Sequence, residues 1–78
     1  MEIQVESYNG YRGQERPLRM VIGQRQVEVV EIIDRWLAPN YRYFKLRGDD
    51  GDLYIIRYDV QEDCWELILI NVRTPSAE

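Results

Sequence analysis

Seventy-eight residues make one domain, near the length at which folding removes only about 60% of the surface an unfolded chain exposes. Apolar residues at 45%, nine aromatics and mixed charge make it a globular composition rather than a disordered one, and a net charge of −4 argues against broad binding to polyanions, whose affinity comes largely from Lys and Arg. The absence of histidine removes the usual general base near neutral pH and the commonest zinc ligand, and the single cysteine rules out an internal disulfide, which points to a cytosolic protein.

The first residues, Met1-Glu2-Ile3-Gln4-Val5-Glu6, carry acids where an export signal needs a basic region. The longest apolar run, Leu67 to Ile70, is far short of the roughly 20 residues that span a bilayer, so no membrane insertion is expected. Ile3 and Val5 alternate with Gln4 and Glu6 and read as a first strand ending at Ser7 or Tyr8. The stretch Asn9 to Pro17, with two glycines and a proline, reads as a loop. Leu18 to Ile22 reads as a second strand and Gly23-Gln24-Arg25 as a hairpin turn.

Residues 27–37 carry two patterns. Val27, Val30, Ile33 and Leu37 would line a helix face, whereas five β-branched residues in seven and the adjacent hairpin signal favour a long strand with a bulge. The strand is preferred and the helix kept as the alternative. Ala38-Pro39-Asn40 ends the element either way.

Strands are expected at Tyr41 to Gly48, Asp52 to Asp59 and Cys64 to Val72. Gly48-Asp49-Asp50-Gly51-Asp52 suits a three-residue loop with Gly51 in the left-handed conformation, which sets Gly48 opposite Asp52. Leu46 then faces Tyr54, Phe44 faces Ile56 and Arg42 faces Tyr58 on the core side. Placing Tyr58 opposite Trp65 across the Gln61-Glu62-Asp63 turn extends that side through Leu67 opposite Ile56 and Leu69 opposite Tyr54. The expectation is one all-β, mainly antiparallel domain over residues 1–73. It would be a five- or six-stranded curled sheet or SH3-like barrel with a disordered tail at 74–78.

No catalytic set emerges. Cys64 has no histidine to activate it and lies among acids, which oppose thiolate formation. Asp49, Asp50 and Asp52 suggest calcium. An EF-hand loop starting at Asp50 would, however, need glycine where Ile55 stands and glutamate where Gln61 stands, so a hairpin turn accounts for them better. Gly10-Tyr11-Arg12-Gly13 matches the Gly-x-x-Gly clamp of KH domains but lacks the flanking helices, and reads as a connecting loop. No cofactor, no metal and no enzyme activity are expected.

The outward face of the last three strands holds two candidate surfaces. Leu53, Ile55, Ile68 and Ile70 form an apolar block suited to a protein partner or a homodimer, unless the sheet curls or residues 27–37 pack over it. Tyr43, Lys45, Arg47 and Arg57 form an aromatic and basic border. It suits single-stranded nucleic acid, unless its charges are internally paired, as Arg57 with Glu66 and Arg42 with Asp59. Nine of the ten basic residues are Arg, a side chain that stacks and bonds bidentately, although codon usage in a GC-rich genome is the preferred account of the bias.

The order of a strand after Pro17, a Gly turn, Val27-x-Val29, Ile33-Asp34-Arg35-Trp36, Tyr41-Arg42-Tyr43-Phe44, Gly51-Asp52-Leu53-Tyr54 and Trp65-Glu66-Leu67 resembles an uncharacterised family of small bacterial β-rich proteins. Some members of that family accompany Y-family translesion DNA polymerases. The resemblance spans roughly Pro17 to Ile70 and implies a repair-linked accessory role, with no catalytic residue to carry over.

Overall fold

The computed structural model describes residues 1–9 and 15–71. Six strands, β1 (Glu2–Asn9), β2 (Glu15–Ile22), β3 (Arg25–Ala38), β4 (Tyr41–Gly48), β5 (Leu53–Asp59) and β6 (Cys64–Asn71), form a closed barrel in chain order. Every pairing is antiparallel. The all-β reading holds, and the helical alternative for residues 27–37 does not.

The second strand begins earlier than its composition suggests. Glu15 to Pro17 pair with Asn9 to Ser7, so the predicted loop gives way to strand at both ends. Pro17 is tolerated because it lies next to the register shift between Glu6 and Ser7, where ladder bonding is already interrupted. The Gly-x-x-Gly stretch Gly10 to Gly13 and the expected tail at 74–78 lie outside the described residues.

β3 explains its own mixed pattern. Arg25 to Glu28 pair with β2 and Val29 to Ala38 with β4, so one strand serves two neighbours in succession. Register shifts fall between Val29 and Glu31 and again between Ile32 and Asp34, leaving Val30 and Ile33 as the inserted residues. The three-residue apolar spacing that mimics a helix face is therefore the spacing of two bulges. Bulges bend a strand, and these fall where β3 leaves β2 and continues along β4.

The hairpin loops follow their residue chemistry. Gly23 opens a two-residue loop at φ 63°. Pro39-Asn40 joins Ala38 to Tyr41 with the φ that proline supplies at a turn. At the β4–β5 loop the Gly48 amide donates to Asp52 O and the Gly51 amide to Gly48 O, both at 3.0 Å, with Gly51 at φ 87°. This is the expected three-residue loop. The β4–β5 register follows from it, with Leu46 opposite Tyr54, Phe44 opposite Ile56 and Arg42 opposite Tyr58.

The core is Ile3, Met20, Val27, Phe44, Leu46, Tyr54, Ile56 and Trp65. Each such large side chain contributes roughly 1.5–3 kcal/mol on full burial. Trp65 packs between Phe44 and Tyr58, with ring centroids 5.6 and 4.9 Å away. No polar or charged side chain is buried among the described residues.

Candidate interaction surface

Four strands, β3 to β6, form the sheet whose outer face carries the candidate residues. Paired residues share a side, so this face divides into cross-strand rows. One row runs Glu31, Arg47, Leu53, Asn71, and the next Asp34, Lys45, Ile55, Leu69. A third runs Trp36, Tyr43, Arg57, Glu66. In the first two rows charge concentrates on β3 and β4 and apolar surface on β5 and β6, whereas in the third the aromatics lie on β3 and β4 and the charges on β5 and β6.

The β5–β6 register corrects one expected member of the apolar block. Tyr58 faces Trp65 and Ile56 faces Leu67 as expected, but a shift between Ile55 and Ile56 inserts Ile68. Ile55 then faces Leu69, and Tyr54 faces Ile70. Leu69 thus joins the outer block, while Ile70 shares the side of the buried Tyr54 and is still 37% exposed beyond its cover. A bulge moves every later residue to the opposite face. The block is Leu53, Ile55, Ile68 and Leu69, with Ile68 46% and Leu69 51% exposed. β3 takes its own place in the barrel wall, between β2 and β4 and separated from β6 by β4 and β5.

Two basic residues of the border, Arg57 and Arg47, are internally paired. Arg57 Nε donates to Glu66 Oε1 at 2.6 Å, and its guanidinium carbon lies 4.2 Å from the Tyr41 ring centroid. A hydrogen bond to the Tyr43 hydroxyl and then the Glu66 contact hold the Arg57 guanidinium above its ordinary value. Arg47 Nε lies 3.3 Å from Glu31 Oε1, and Lys45 stands opposite Asp34 in the ladder. The expected Arg57–Glu66 pair is therefore present. Exposed pairs of this kind are worth little in stability, about 0–1 kcal/mol, but they lower the positive potential presented to a phosphate.

One aromatic feature escaped the residue-by-residue reading. Trp36 and Tyr43 stack with ring centroids 5.3 Å apart and planes 1° from parallel. Tyr41 lies 6.2 Å from Tyr43. The two-residue Pro39-Asn40 loop held the signal, because joining Ala38 to Tyr41 sets Trp36 opposite Tyr43.

The acidic loop is occupied by the protein itself. Asp50 accepts from the Tyr54 hydroxyl at 2.5 Å and from the Asp52 amide at 3.0 Å, and pairs with Arg25. Asp49 Oδ1 accepts from the Glu28 amide at 3.3 Å, while the Asp49 amide donates to Glu28 O at 2.8 Å. These oxygens join the β4–β5 loop to the start of β3. Burial opposes the Asp50 charge, but the Tyr54 and Asp52 hydrogen bonds and Arg25 outweigh it and hold the carboxyl below its ordinary value.

Cys64 opens β6 opposite Asp59. Partial burial, then Asp59, Glu2, Glu66 and Glu62, push its thiol up, against the direction a nucleophile needs. No helix among the described residues is long and apolar enough to cross a membrane. No family model, curated protein or solved structure matches the chain.

Proposed function

We propose that the chain is a non-catalytic cytosolic interaction module and that Leu53, Ile55, Ile68 and Leu69 receive a protein partner, in the simplest case a second copy of the chain. The carrying observation is that this block stands outside a core that is complete without it, with Ile68 and Leu69 about half exposed. Soluble monomers rarely leave contiguous apolar area of this kind in water unless it binds something. The absence of histidine and the raised Cys64 thiol support the non-catalytic reading. Light scattering over a concentration series tests it, with a dimer or larger species expected as concentration rises. Ile68→Glu should abolish association and leave the far-UV spectrum unchanged, because a carboxylate in an apolar contact has no partner. A native chain that stays monomeric and retains no protein in pull-downs overturns the reading.

The Trp36–Tyr43 stack favours a second reading, a repair-linked accessory protein that binds single-stranded nucleic acid across Tyr43, Lys45, Arg47 and Arg57. Bases stack on aromatic rings at about 1–3 kcal/mol each. The ion pairs of Arg47 and Arg57 weigh against it. Fluorescence anisotropy with single-stranded DNA and RNA at low salt decides the matter, and no binding there ends this reading.

A further inference from the structure

From Val29 onward β3 has one neighbour. β2 pairs with it only over residues 25–28, β4 accompanies it to Ala38, and no described strand lies along its other side. Both register shifts precede Asp34, so residues 34–38 pair with residues 45–41 in unbroken register. They form a regular stretch of strand with an open edge.

The backbone groups on that edge can be assigned. The Arg35 amide donates to Asp34 Oδ1 at 2.8 Å and therefore points away from β4. Hydrogen-bonded and non-hydrogen-bonded pairs alternate along an antiparallel ladder. Leu37 thus turns its amide and carbonyl to the same open side as Arg35, while Trp36 bonds to Tyr43. The side chains of these residues divide between two faces. Trp36, 41% exposed, stands on the outer face, and Leu37, 78% exposed, stands on the inner side, in the row of Arg42, Tyr58 and Trp65. A partner lying flat on the sheet covers only one of the two. A strand added at the edge sends its side chains alternately to both faces and covers both.

We propose that residues 34–38 of β3 accept an extended segment of a partner protein, antiparallel, with apolar residues opposite Trp36 and Leu37 and a basic residue opposite Asp34. This edge is separate from the outer block on β5 and β6. Its backbone bonds run to the amides and carbonyls of Arg35 and Leu37. Charge selects the basic residue, since Asp34 is the acid at that position and the chain as a whole carries −4. In the free chain the Asp34 carboxylate caps the Arg35 amide. When a carbonyl of the incoming strand takes that amide, the carboxylate is released to the basic residue. The cap and the charges of Asp34 and Arg35 also blunt the edge against indiscriminate pairing.

The test is fluorescence anisotropy with the labelled, end-capped peptide Thr-Val-Val-Glu-Lys, whose antiparallel register sets its first valine opposite Leu37 and its lysine opposite Asp34. Binding is expected at low salt. The same peptide N-methylated at its first valine and its glutamate loses the two donors that face the Leu37 and Arg35 carbonyls, and should bind roughly tenfold or more weakly. Amide exchange in the native chain gives a second readout. The peptide should slow the Arg35 and Leu37 amides and leave the Trp36 amide, already bonded within the sheet, unchanged. Leu37→Pro removes an edge donor at a position where a strand tolerates proline, and should abolish binding with the far-UV spectrum retained. Equal binding of the N-methylated peptide, or no binding of either, overturns edge addition. Slowed Arg35 and Leu37 exchange on raising the protein concentration without peptide makes a second copy the occupant, and overturns the assignment to a basic partner segment.

Discussion

Gly48 ends β4 where the chain enters the three-residue loop, and its lack of a side chain is a packing requirement. A Cβ there would lie 2.5 Å from Val27 Cγ1, 2.8 Å from Asp50 Oδ1 and 3.0 Å from the Tyr54 ring. Val27 and Tyr54 are core residues at 1% exposure each, and Asp50 is tied to Arg25 and Tyr54, so none can retreat cheaply. Gly48→Ala should therefore cost about 1–3 kcal/mol, the usual range for overpacking, read as a lower denaturation midpoint at unchanged slope. The neighbouring Gly51 answers to a different demand. Its φ of 87° is a conformation that L side chains rarely adopt, and open space would not relieve it.

At the scale of elements, the hydrogen bond from Tyr54 to Asp50 joins strand β5 to its own loop, and Arg25 ties that loop to β3. The bond acts on both ionisations. The Asp50 carboxyl is held below its ordinary value, so its contribution is present above about pH 3.9 and is lost as pH falls through the depressed folded value. The Tyr54 hydroxyl is pushed up, first by burial and then by Asp50, so its contribution is present below about pH 10 and is lost as pH rises through the raised folded value. Stability should fall at both extremes. Tyr54→Phe should shallow both limbs of a thermal midpoint profile against pH, whereas a profile unchanged at either end would show that the bond does not form in solution.

The same elements show which pairings residues announce. The β4–β5 register was legible because Gly51 permits only certain loops and a one-residue slip would have put Lys45 and Arg47 on the core side. The β5–β6 register was legible only as far as Leu67. Leu67-Ile68-Leu69-Ile70 is apolar throughout, so no alternation marks the inserted Ile68, and the side assigned to Leu69 and Ile70 reversed. In β3 the β-branched residues gave the strand, but two bulges placed three residues apart imitate helical spacing too closely for a pattern to separate. Of the candidate site, Leu53, Ile55 and Ile68 were within reach of the sequence. Leu69 was not, and Trp36 needed the Pro39-Asn40 loop length to be fixed first.

For the whole molecule, the two functional readings respond oppositely to salt. Two copies that each carry a net charge of −4 repel before they touch, and the outer block they would share is apolar. Added salt shortens the screening length from about 30 Å at 0.01 M to about 8 Å at 0.15 M, so the repulsion weakens while the apolar contact is little affected. Self-association should therefore tighten between those concentrations. Binding to a single strand must do the reverse, since it gains free energy by releasing counterions from phosphates, and its affinity falls steeply over the same range. Sedimentation equilibrium at both salts, in parallel with oligonucleotide anisotropy, compares the two in one sample. Tighter dimers with no oligonucleotide bound would fit the apolar face as the working surface. Salt-sensitive oligonucleotide binding by a monomer would transfer that role to the Trp36–Tyr43 stack, because the ion pairs of Arg47 and Arg57 would then have to exchange Glu31 and Glu66 for phosphate.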